Sequence, residues 1–405
     1  MNRLVLIGNG FDLAHDLKTS YADFIYWYWK RRVTELHNVM SDTSDDTLCT
    51  LEVIGETWHM FYFQQSFSLN QAEGKKLYQF LNKHKDKFRI RHTAFFANIH
   101  KSIETKGWVD IENEYYKLLE HFSIENYSEK EIGKLNNQLR YLQELLTEYL
   151  TFINTQDTLV NDSIKKKIYA PIRSSDIAVE GTQTLAEYID WCNKQDKDVW
   201  DVKLSRYGIN AVMTGDIYDV EKFKKDPSLC FEYPRVYMLP ERIMLLNFNY
   251  TKTAKAYLRQ NGDIFSLNHI HGVLESPESM IFGYGDEFED RYKRLQNIGN
   301  NECLTNIKTI RYQESDNYRK VLAFIESAPF QVCIMGHSCG NSDRTLLNTL
   351  FEHKNCVSIK PYYYKRSEDD DNYIELVQNI SRNFKDMKLM RDRVVNKTYC
   401  EPLVK

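Results

Sequence analysis

Two short polar clusters in the second half of the chain contain residues that could carry out acid–base chemistry. Asn247 and Asn249 form one cluster, and His269 and His271 form the other. Residues two positions apart in a strand point to the same side, so each cluster presents two polar groups together. An amide can fix a ribose or a water, and imidazole titrates near neutral pH. The alternative is structural, with the amides capping a turn or helix and the imidazoles buried for packing.

A metal site is not predicted from these histidines. A catalytic zinc would need a third protein ligand beside His269 and His271. The spacing of the remaining ligand-type residues implies no such partner.

The first apolar run of the chain, Arg3–Ile7, ends in Gly8-Asn9-Gly10-Phe11-Asp12. A Gly-x-Gly turn after a buried parallel strand is where open α/β sheets hold a phosphate, because glycine lets the backbone approach the anion. The third glycine of the dinucleotide fingerprint is missing, since Phe11-Asp12-Leu13 occupies its place. The motif therefore predicts either a phosphate site or a plain turn.

A second glycine motif, Gly336-His337-Ser338-Cys339-Gly340, fits the G-x-S-x-G pattern of the α/β-hydrolase nucleophile elbow. A Ser338 esterase would need a catalytic histidine late in the chain, and only His353 follows, inside the next predicted helix. The alternative is that this loop wraps a phosphate or ribose. Asn341, Ser342 or Asp343 would then cap the helix that follows.

These clusters stand at the ends of short apolar runs, which predict strands. The runs are 242–246, 263–267, 279–282, 330–335 and 356–359, together with the N-terminal run. Polar groups at the carboxyl ends of parallel strands are typical of ligand sites in open α/β sheets. The sequence therefore predicts that the first strand joins a sheet completed more than two hundred residues later.

The intervening residues predict a mainly helical insertion. Ser20–Asp23 fits a capping box, and leucines recur at helical spacing between Leu135 and Ile153. A second helix is predicted from Asp110 to Leu119, and 41–47 is predicted to be a polar loop. The basic and aromatic stretch 75–92 predicts a solvated helix face, with polyanion binding as the alternative.

Composition limits the function classes. The chain has 405 residues, 53 basic and 57 acidic, with a net charge of −4. A general nucleic-acid binder is normally basic, so nucleic acid is not an expected partner. Eight cysteines without a C-x-x-C pair predict reduced thiols. No apolar run reaches the roughly 18 residues of a membrane span, so a cytoplasmic protein without a membrane partner is expected.

Together the motifs GNGFD, NFNYT, HIHG, FGYGDE and GHSCGNSD resemble the bacterial AbiH family of phage abortive-infection proteins. The resemblance covers the first strand and most of 240–355, and the insertion only loosely, in its aromatic opening and at Trp108–Glu112. The AbiH pattern in turn resembles the sirtuin-like NAD-binding fold. This implies a Rossmann-like (sirtuin-like) parallel sheet with helices on both faces and a large helical insertion after the first strand.

The resemblance implies roles for individual residues. Asn249 would position ribose or water, and His271 would act as general base. The residues expected to hold NAD are Gly8, Asn9, Gly10, Phe11, Asp12, Asn247, Gly283, Gly336, His337, Ser338 and Asp343. One departure is Thr251, where the sirtuin-like pattern usually has Asp. The four-cysteine zinc module of deacetylases is also absent, which leaves NAD hydrolysis as the implied activity.

The sequence thus predicts two domains, 1–20 plus 236–405 as the nucleotide-binding core and 21–235 as the helical insertion. The favoured hypothesis is an antiphage enzyme that cleaves the nicotinamide–ribose bond of NAD in infected cells. A second hypothesis is a non-catalytic nucleotide sensor, and a third is the Ser338 esterase. A phage-derived trigger or self-assembly through the insertion is the expected partnership.

Overall fold

The computed structural model describes residues 1–38, 41–55, 73–106, 109–153, 159–209, 236–259, 264–287 and 290–404. The strands are β1 (Asn2–Ile7), β2 (Thr43–Asp45), β3 (Cys49–Val53), β4 (Phe88–His92), β5 (Ile243–Asn247), β6 (Phe265–His269), β7 (Phe330–Met335) and β8 (Cys356–Tyr362). The helices are α1 (Asn9–Leu13), α2 (Tyr21–Asn38), α3 (Gly74–Lys83), α4 (Ala94–Lys106), α5 (Ile111–Glu120), α6 (Glu129–Ile153), α7 (Asp162–Tyr169), α8 (Thr182–Asn193), α9 (Lys197–Arg206), α10 (Asp290–Asn297), α11 (Lys308–Arg311), α12 (Asn317–Ser327), α13 (Arg344–Phe351), α14 (Tyr373–Ser381) and α15 (Met387–Arg393).

The chain forms two compact units. The first comprises Met1–Asp16, Asp157–Ile281 and Arg311–Lys405, and the second comprises Leu17–Gln156 and Phe282–Ile310. The division predicted from the sequence draws its boundary later, at 235, and so assigns α7, α8 and α9 to the insertion. Whether 1–20 plus 236–405 and 21–235 form separate domains stays a prediction.

The first unit is built on a five-stranded sheet in the order β6-β5-β1-β7-β8. All four neighbouring pairs run parallel, with β1 in the centre. Every residue of β1 is buried, as is every residue of β7. A strand covered on both faces is largely apolar, which explains why apolar runs predict these strands.

Helices cover both faces of this sheet. Val5 and Ile7 belong to a buried cluster with side chains of α7, α8 and α9. Leu4 and Leu6 face the opposite way and pack in a second cluster with α12, α13, α14 and α15. The alternation along β1 follows from the two-residue period of a strand. The predicted α/β class, with helices on both faces of a parallel sheet, is therefore confirmed.

One predicted strand is wrong. Within 279–282 the chain forms no strand; a 3₁₀ turn covers Pro277–Ser279, and the Ile281 N–H donates to the His271 carbonyl over 2.9 Å. Proline lacks the N–H needed for a strand ladder and suits the start of such a turn. The runs at 242–246, 330–335 and 356–359 match β5, β7 and β8 within a few residues. The run at 263–267 matches β6, although Asp263 lies outside the described residues.

The second unit contains a three-stranded antiparallel sheet, β2-β3-β4, with helices α2 to α6 and α10. The predicted capping box is confirmed, because the Asp23 N–H donates to Ser20 Oγ over 3.1 Å at the start of α2. The predicted leucine-rich helix is α6, and the helix predicted from Asp110 to Leu119 is α5, which follows an Asp110 cap. Trp108 lies outside the described residues.

Two other predictions in this unit need correction. The predicted polar loop at 41–47 is wrong in part, because Thr43–Asp45 forms β2 and pairs with β3. The basic stretch at 75–92 is not a single helix face, since α3 ends at Lys83 and β4 follows. Arg89 and Arg91 of β4 both pair with Glu52.

The loops that follow β1 and β7 interlock through glycine. The Gly10 N–H donates to the Gly336 carbonyl over 2.8 Å. A Cβ placed on Gly336 would lie 2.0 Å from the Phe11 nitrogen, and one on Gly8 would lie 2.5 Å from the His337 Cα. Gly336 also has φ +77°, a left-handed conformation that side chains disfavour. Only glycine therefore allows the two loops to approach this closely.

We predict that Gly336→Ala lowers the free energy of unfolding by about 3 kcal/mol or more, because it adds backbone strain and a steric overlap at once. Urea unfolding followed by circular dichroism measures the change. Gly133→Ala is the control, since Gly133 lies in α6 with open space around it. That change should raise stability by about 0.5–1 kcal/mol through helix propensity. A Gly336→Ala protein as stable as the wild type would contradict the interlock.

Candidate functional site

The polar clusters that follow β1, β5, β6 and β7 lie at one edge of the first unit's sheet. Parallel strands bring their carboxyl ends to the same edge, and backbone hydrogen bonds continue past the strands. The Phe248 N–H donates to the Ile7 carbonyl over 2.9 Å, and the Ile270 N–H donates to the Asn247 carbonyl over 3.1 Å. The Gly8 N–H donates to the Met335 carbonyl over 3.3 Å. This edge therefore joins segments far apart in sequence.

A carboxylate lies between two imidazoles at this edge. Asp343 Oδ1 is 3.2 Å from His271 Nε2, and Asp343 Oδ2 is 3.6 Å from His337 Nε2. The three residues are 8%, 4% and 6% exposed, in the order Asp343, His271, His337. A carboxylate beside an imidazole orients the ring and stabilises its protonated form, as acid–base catalysis requires. We refer to Asp343, His271 and His337 as the His–Asp–His cluster.

Neighbouring groups fix the two rings of the His–Asp–His cluster. The Cys339 N–H donates to His337 Nδ1 over 3.0 Å, so neutral His337 carries its proton on Nε2, toward Asp343. The Tyr312 hydroxyl lies 3.3 Å from His271 Nε2, and the Tyr312 ring is nearly parallel to the imidazole. Phe248 contacts both imidazoles, with ring centroids 5.3 Å from His271 and 4.1 Å from His337. The cluster is thus held in one geometry.

The two asparagines have different surroundings. Asn247 is buried; its amide lies 3.1 Å from His269 Nδ1 and donates to the Thr251 carbonyl over 3.3 Å. Asn249 is half-buried, and its amide donates to the Gly8 carbonyl over 3.0 Å. Burial lowers the pKa of His269. Asn247 therefore holds the strand ends together, whereas Asn249 reaches the accessible part of the edge.

Asp12 also lies at this edge, close to the asparagine cluster. Its side chain is 1% exposed, and its Oδ2 accepts a hydrogen bond of 2.7 Å from the Thr251 hydroxyl. Burial raises the pKa of the Asp12 carboxyl, opposed by the hydrogen bond from Thr251. Thr251, which departs from the sirtuin-like pattern, is therefore a partner of the glycine-loop carboxyl.

The backbone amides of the first glycine loop, which were predicted to contact a phosphate, donate to carbonyls of the protein. The Gly8 and Gly10 amides donate to the carbonyls of Met335 and Gly336, over 3.3 Å and 2.8 Å. Helix α1 has five residues, so its dipole is small. Phe11 is buried and packs edge-on against Tyr257, whereas Asn9 is exposed. The glycines are explained by the interlock, and their contact with a dinucleotide stays a prediction.

The contact of Gly283 with a dinucleotide stays a prediction. Gly283 belongs to the second unit, where its amide donates to Glu112 Oε1 over 3.1 Å. The same carboxylate accepts a hydrogen bond of 3.0 Å from Lys308 Nζ. The FGYGDE motif and the segment ending at Glu112 therefore form a buried polar contact within the second unit.

Two predictions about the second glycine loop change. The prediction that Asn341, Ser342 or Asp343 caps the next helix is confirmed for position only, because Asp343 is the N-cap residue of α13 but its side chain makes no cap hydrogen bond. Its carboxylate is directed to the histidines instead. Ser338 is exposed, and no histidine of the described residues bonds its hydroxyl. Apart from Gly336, the left-handed residue of this loop is Cys339, at φ +55°, and not Ser338, so the geometry gives the esterase no support.

Sequence reasoning missed two members of the site. Phe248 stands between the asparagines and was not predicted to touch either histidine. Tyr312 belongs to a short 3₁₀ turn outside every motif, and no sequence signal indicates it. Within the described residues, no group of three or more His, Cys, Asp or Glu has a geometry that could hold a metal ion. No helix in those parts of the chain is long and apolar enough to cross a membrane.

The tautomers of two histidines test this geometry. We predict that neutral His337 carries its proton on Nε2, because its Nδ1 accepts from the Cys339 N–H. His15 is the internal control with the opposite tautomer, since its Nδ1 lies 2.7 Å from the Phe11 carbonyl and must donate. Nitrogen NMR of protein labelled with ¹⁵N-histidine distinguishes the two forms, with His→Gln variants for assignment. An Nδ1–H tautomer at His337 would refute the arrangement.

Comparison with known proteins places this chain in a family. A family model described as "Bacteriophage abortive infection AbiH" matches residues 4–364 of the chain. Neither the curated proteins nor the solved structures gave a match. The matched region contains every residue of the His–Asp–His cluster and both glycine loops. The resemblance inferred from the motifs is thereby confirmed, and the chain belongs to the bacteriophage abortive infection AbiH family.

Proposed function

We propose that this protein binds NAD at the carboxyl edge of the first unit's sheet and hydrolyses its nicotinamide–ribose bond during infection. Membership in the AbiH family assigns the chain to phage abortive-infection defence. The observation that carries the enzymatic part is the Asp343 carboxylate between the buried imidazoles of His271 and His337. Removal of NAD would halt the metabolism of the infected cell.

The topology of the sheet supports a nucleotide as the ligand. Numbered within the sheet, the strands follow the order 3-2-1-4-5, which is that of Rossmann-like folds. Such sheets bind ligands outside the carboxyl ends of their strands, where the strand order reverses beside the first strand. Here that position lies between β1 and β7, next to the His–Asp–His cluster. The sirtuin-like relationship remains part of this proposal.

The proposed chemistry divides among three residues. Cleavage of the nicotinamide–ribose bond passes through an oxocarbenium-like state, which water then attacks. His271 would take a proton from a ribose hydroxyl or from that water, and Asp343 would orient His271 and stabilise its charged form. Asn249, the accessible asparagine of the edge, would hold the ribose or the water by its amide.

The burial of the cluster favours a second candidate function. His271 is 4% exposed and His337 is 6% exposed, so a substrate could reach them only if the edge opened. A non-catalytic sensor would bind its nucleotide at the accessible part of the edge and leave the histidines covered. A phage-derived trigger that opens the edge, or self-assembly through the second unit, would reconcile burial with catalysis.

The principal experiment measures nicotinamide release from NAD by purified protein, with and without lysate from phage-infected cells. We predict that Asp343→Asn lowers turnover about 10²–10⁴-fold, because an amide cannot stabilise the protonated imidazole. Asp316→Asn is the control, since Asp316 forms only an exposed ion pair with Lys320 and should keep wild-type activity.

The outcomes separate the two candidates. Binding of NAD or ADP-ribose without nicotinamide release, even with lysate, would identify a sensor. Absence of both binding and turnover would reject the nucleotide site itself. Equal turnover by wild type and Asp343→Asn would show that the His–Asp–His cluster is not the catalytic group.

A further inference from the structure

Asp12 is a buried carboxyl with one oxygen left without a partner. Its Oδ2 accepts the hydrogen bond from Thr251 over 2.7 Å, while its Oδ1 is buried and has no hydrogen-bond partner among the described residues. The side chain is 1% exposed. A buried polar atom without a partner loses its hydration and gains nothing in return, so each such atom calls for an explanation.

No cation compensates this carboxyl. Within the described parts of the chain, no lysine or arginine forms an ion pair with Asp12, and His15 is the titratable neighbour whose electrostatic effect lowers the pKa of Asp12. Burial is the dominant influence and raises the pKa of Asp12; Thr251, Thr253, His15 and Asn249 oppose it more weakly. The folded protein therefore holds this acid at a cost to its own stability.

Asp176 shows what a structural buried aspartate looks like in the same unit. Its Oδ1 also lacks a hydrogen-bond partner among the described residues, and it is 4% exposed. Its Oδ2, however, accepts a hydrogen bond of 2.8 Å from Lys360 Nζ, and Lys360 is 3% exposed. The lysine supplies the opposite charge that Asp12 lacks. The ion pair with Lys360 gives Asp176 a structural role in linking two parts of the fold. Asp12 has no such ion pair among the described residues, so this role does not explain its burial.

The surroundings of Asp12 favour a neutral hydrogen-bond donor as its missing partner. Its neighbours are the Thr251 and Thr253 hydroxyls and the Asn249 amide, none of which carries charge. A phosphate would be repelled by the carboxylate. A hydroxyl can donate to the free oxygen without bringing a second charge into a buried place. Of this group only Asn249 is not fully buried.

We propose that Asp12 is a ligand-binding residue whose Oδ1 accepts a hydrogen bond from a ribose hydroxyl of the nucleotide. The inference rests on the proposed function, since the same edge must bind a nucleotide. It adds a specificity determinant for the ribose, supplied by the loop after β1 and not by the His–Asp–His cluster. Thr251 acts as a positioning residue, because its hydroxyl holds the other oxygen of the carboxyl.

The test compares Asp12→Asn with wild type at pH 7 by calorimetric titration. The probes are ADP-ribose and two analogues whose terminal ribose lacks the 2′- or the 3′-hydroxyl. A hydrogen bond from a hydroxyl to a charged acceptor discriminates by about 10–100-fold, so wild type should prefer ADP-ribose over one analogue by that factor. In Asp12→Asn the preference should fall to about threefold or less.

Thermal unfolding without ligand gives a second readout. Asp12→Asn should melt at or above the wild-type temperature, because the variant no longer buries an uncompensated acid. Asp176→Asn is the matched control and should melt lower by about 5 °C or more, because it leaves Lys360 buried without its partner.

Two results would overturn the inference. One is an unchanged ribose preference in an Asp12→Asn protein that still binds ADP-ribose. The other is a melting temperature of Asp12→Asn that falls as far as that of Asp176→Asn, which would make Asp12 structural. If wild type binds none of the probes, the proposed function fails. The melting temperatures without ligand still show whether Asp12 stabilises the fold.

Discussion

The close approach of the loops after β1 and β7 is the constraint on which the candidate site depends. Both loops leave the centre of the sheet side by side, and the Gly10 N–H to Gly336 carbonyl bond of 2.8 Å holds them together. The absence of a side chain at Gly8 leaves room for the backbone of His337. This fixes where His337 stands, and the Cys339 N–H then orients its ring. The geometry of the His–Asp–His cluster thus depends on the backbone packing of these two loops.

The buried aspartates of the first unit differ in the hydrogen-bond and charge partners that the protein supplies to them. Asp343 has an imidazole near each of its two oxygens, and Asp176 has a lysine. Both arrangements supply donors to a buried carboxylate, as the low polarity of the interior requires. Asp12 receives one hydroxyl and has one oxygen without a partner. Three buried aspartates in one unit therefore differ in how far the protein satisfies them, and the least satisfied one lies beside Asn249.

Much of the fold of the first unit could be predicted from the sequence because its strands are locally encoded. β1, β5, β7 and β8 are apolar runs bounded by polar turns, which is the pattern of a strand buried on both faces. The apolar run at 279–282 has the same composition but follows Pro277, and it forms no strand. The short β2 was missed because Thr43–Asp45 is polar and gains its structure only by pairing with β3.

The candidate site was predictable only in part, since its key contacts join distant residues. The histidine and asparagine clusters were found because strand ends are visible in sequence. The pairing of His271 with Asp343 was not, because a capping role for an acid before a helix is locally just as reasonable. Gly283 shows the same limit: a glycine after an apolar run looked like a ligand loop, and its amide donates to Glu112 of the second unit.

The two glycine motifs show that a motif predicts a function only when the hydrogen-bond partners of its backbone amides and the conformation of its residues are known. Gly-x-Gly after a strand predicts phosphate binding only if the amides of the turn point outward. In this chain the Gly8 and Gly10 amides donate to the β7 loop. Likewise, G-x-S-x-G predicts a nucleophile only if the serine occupies the strained position, and here Cys339 occupies it. Both patterns encode a tight backbone turn, which phosphate loops and nucleophile elbows share with two loops that must pack closely. Chemistry at this edge is therefore better inferred from Asp343 and His271, which lie 3.2 Å apart, and from Asp12, whose Oδ1 has no hydrogen-bond partner among the described residues.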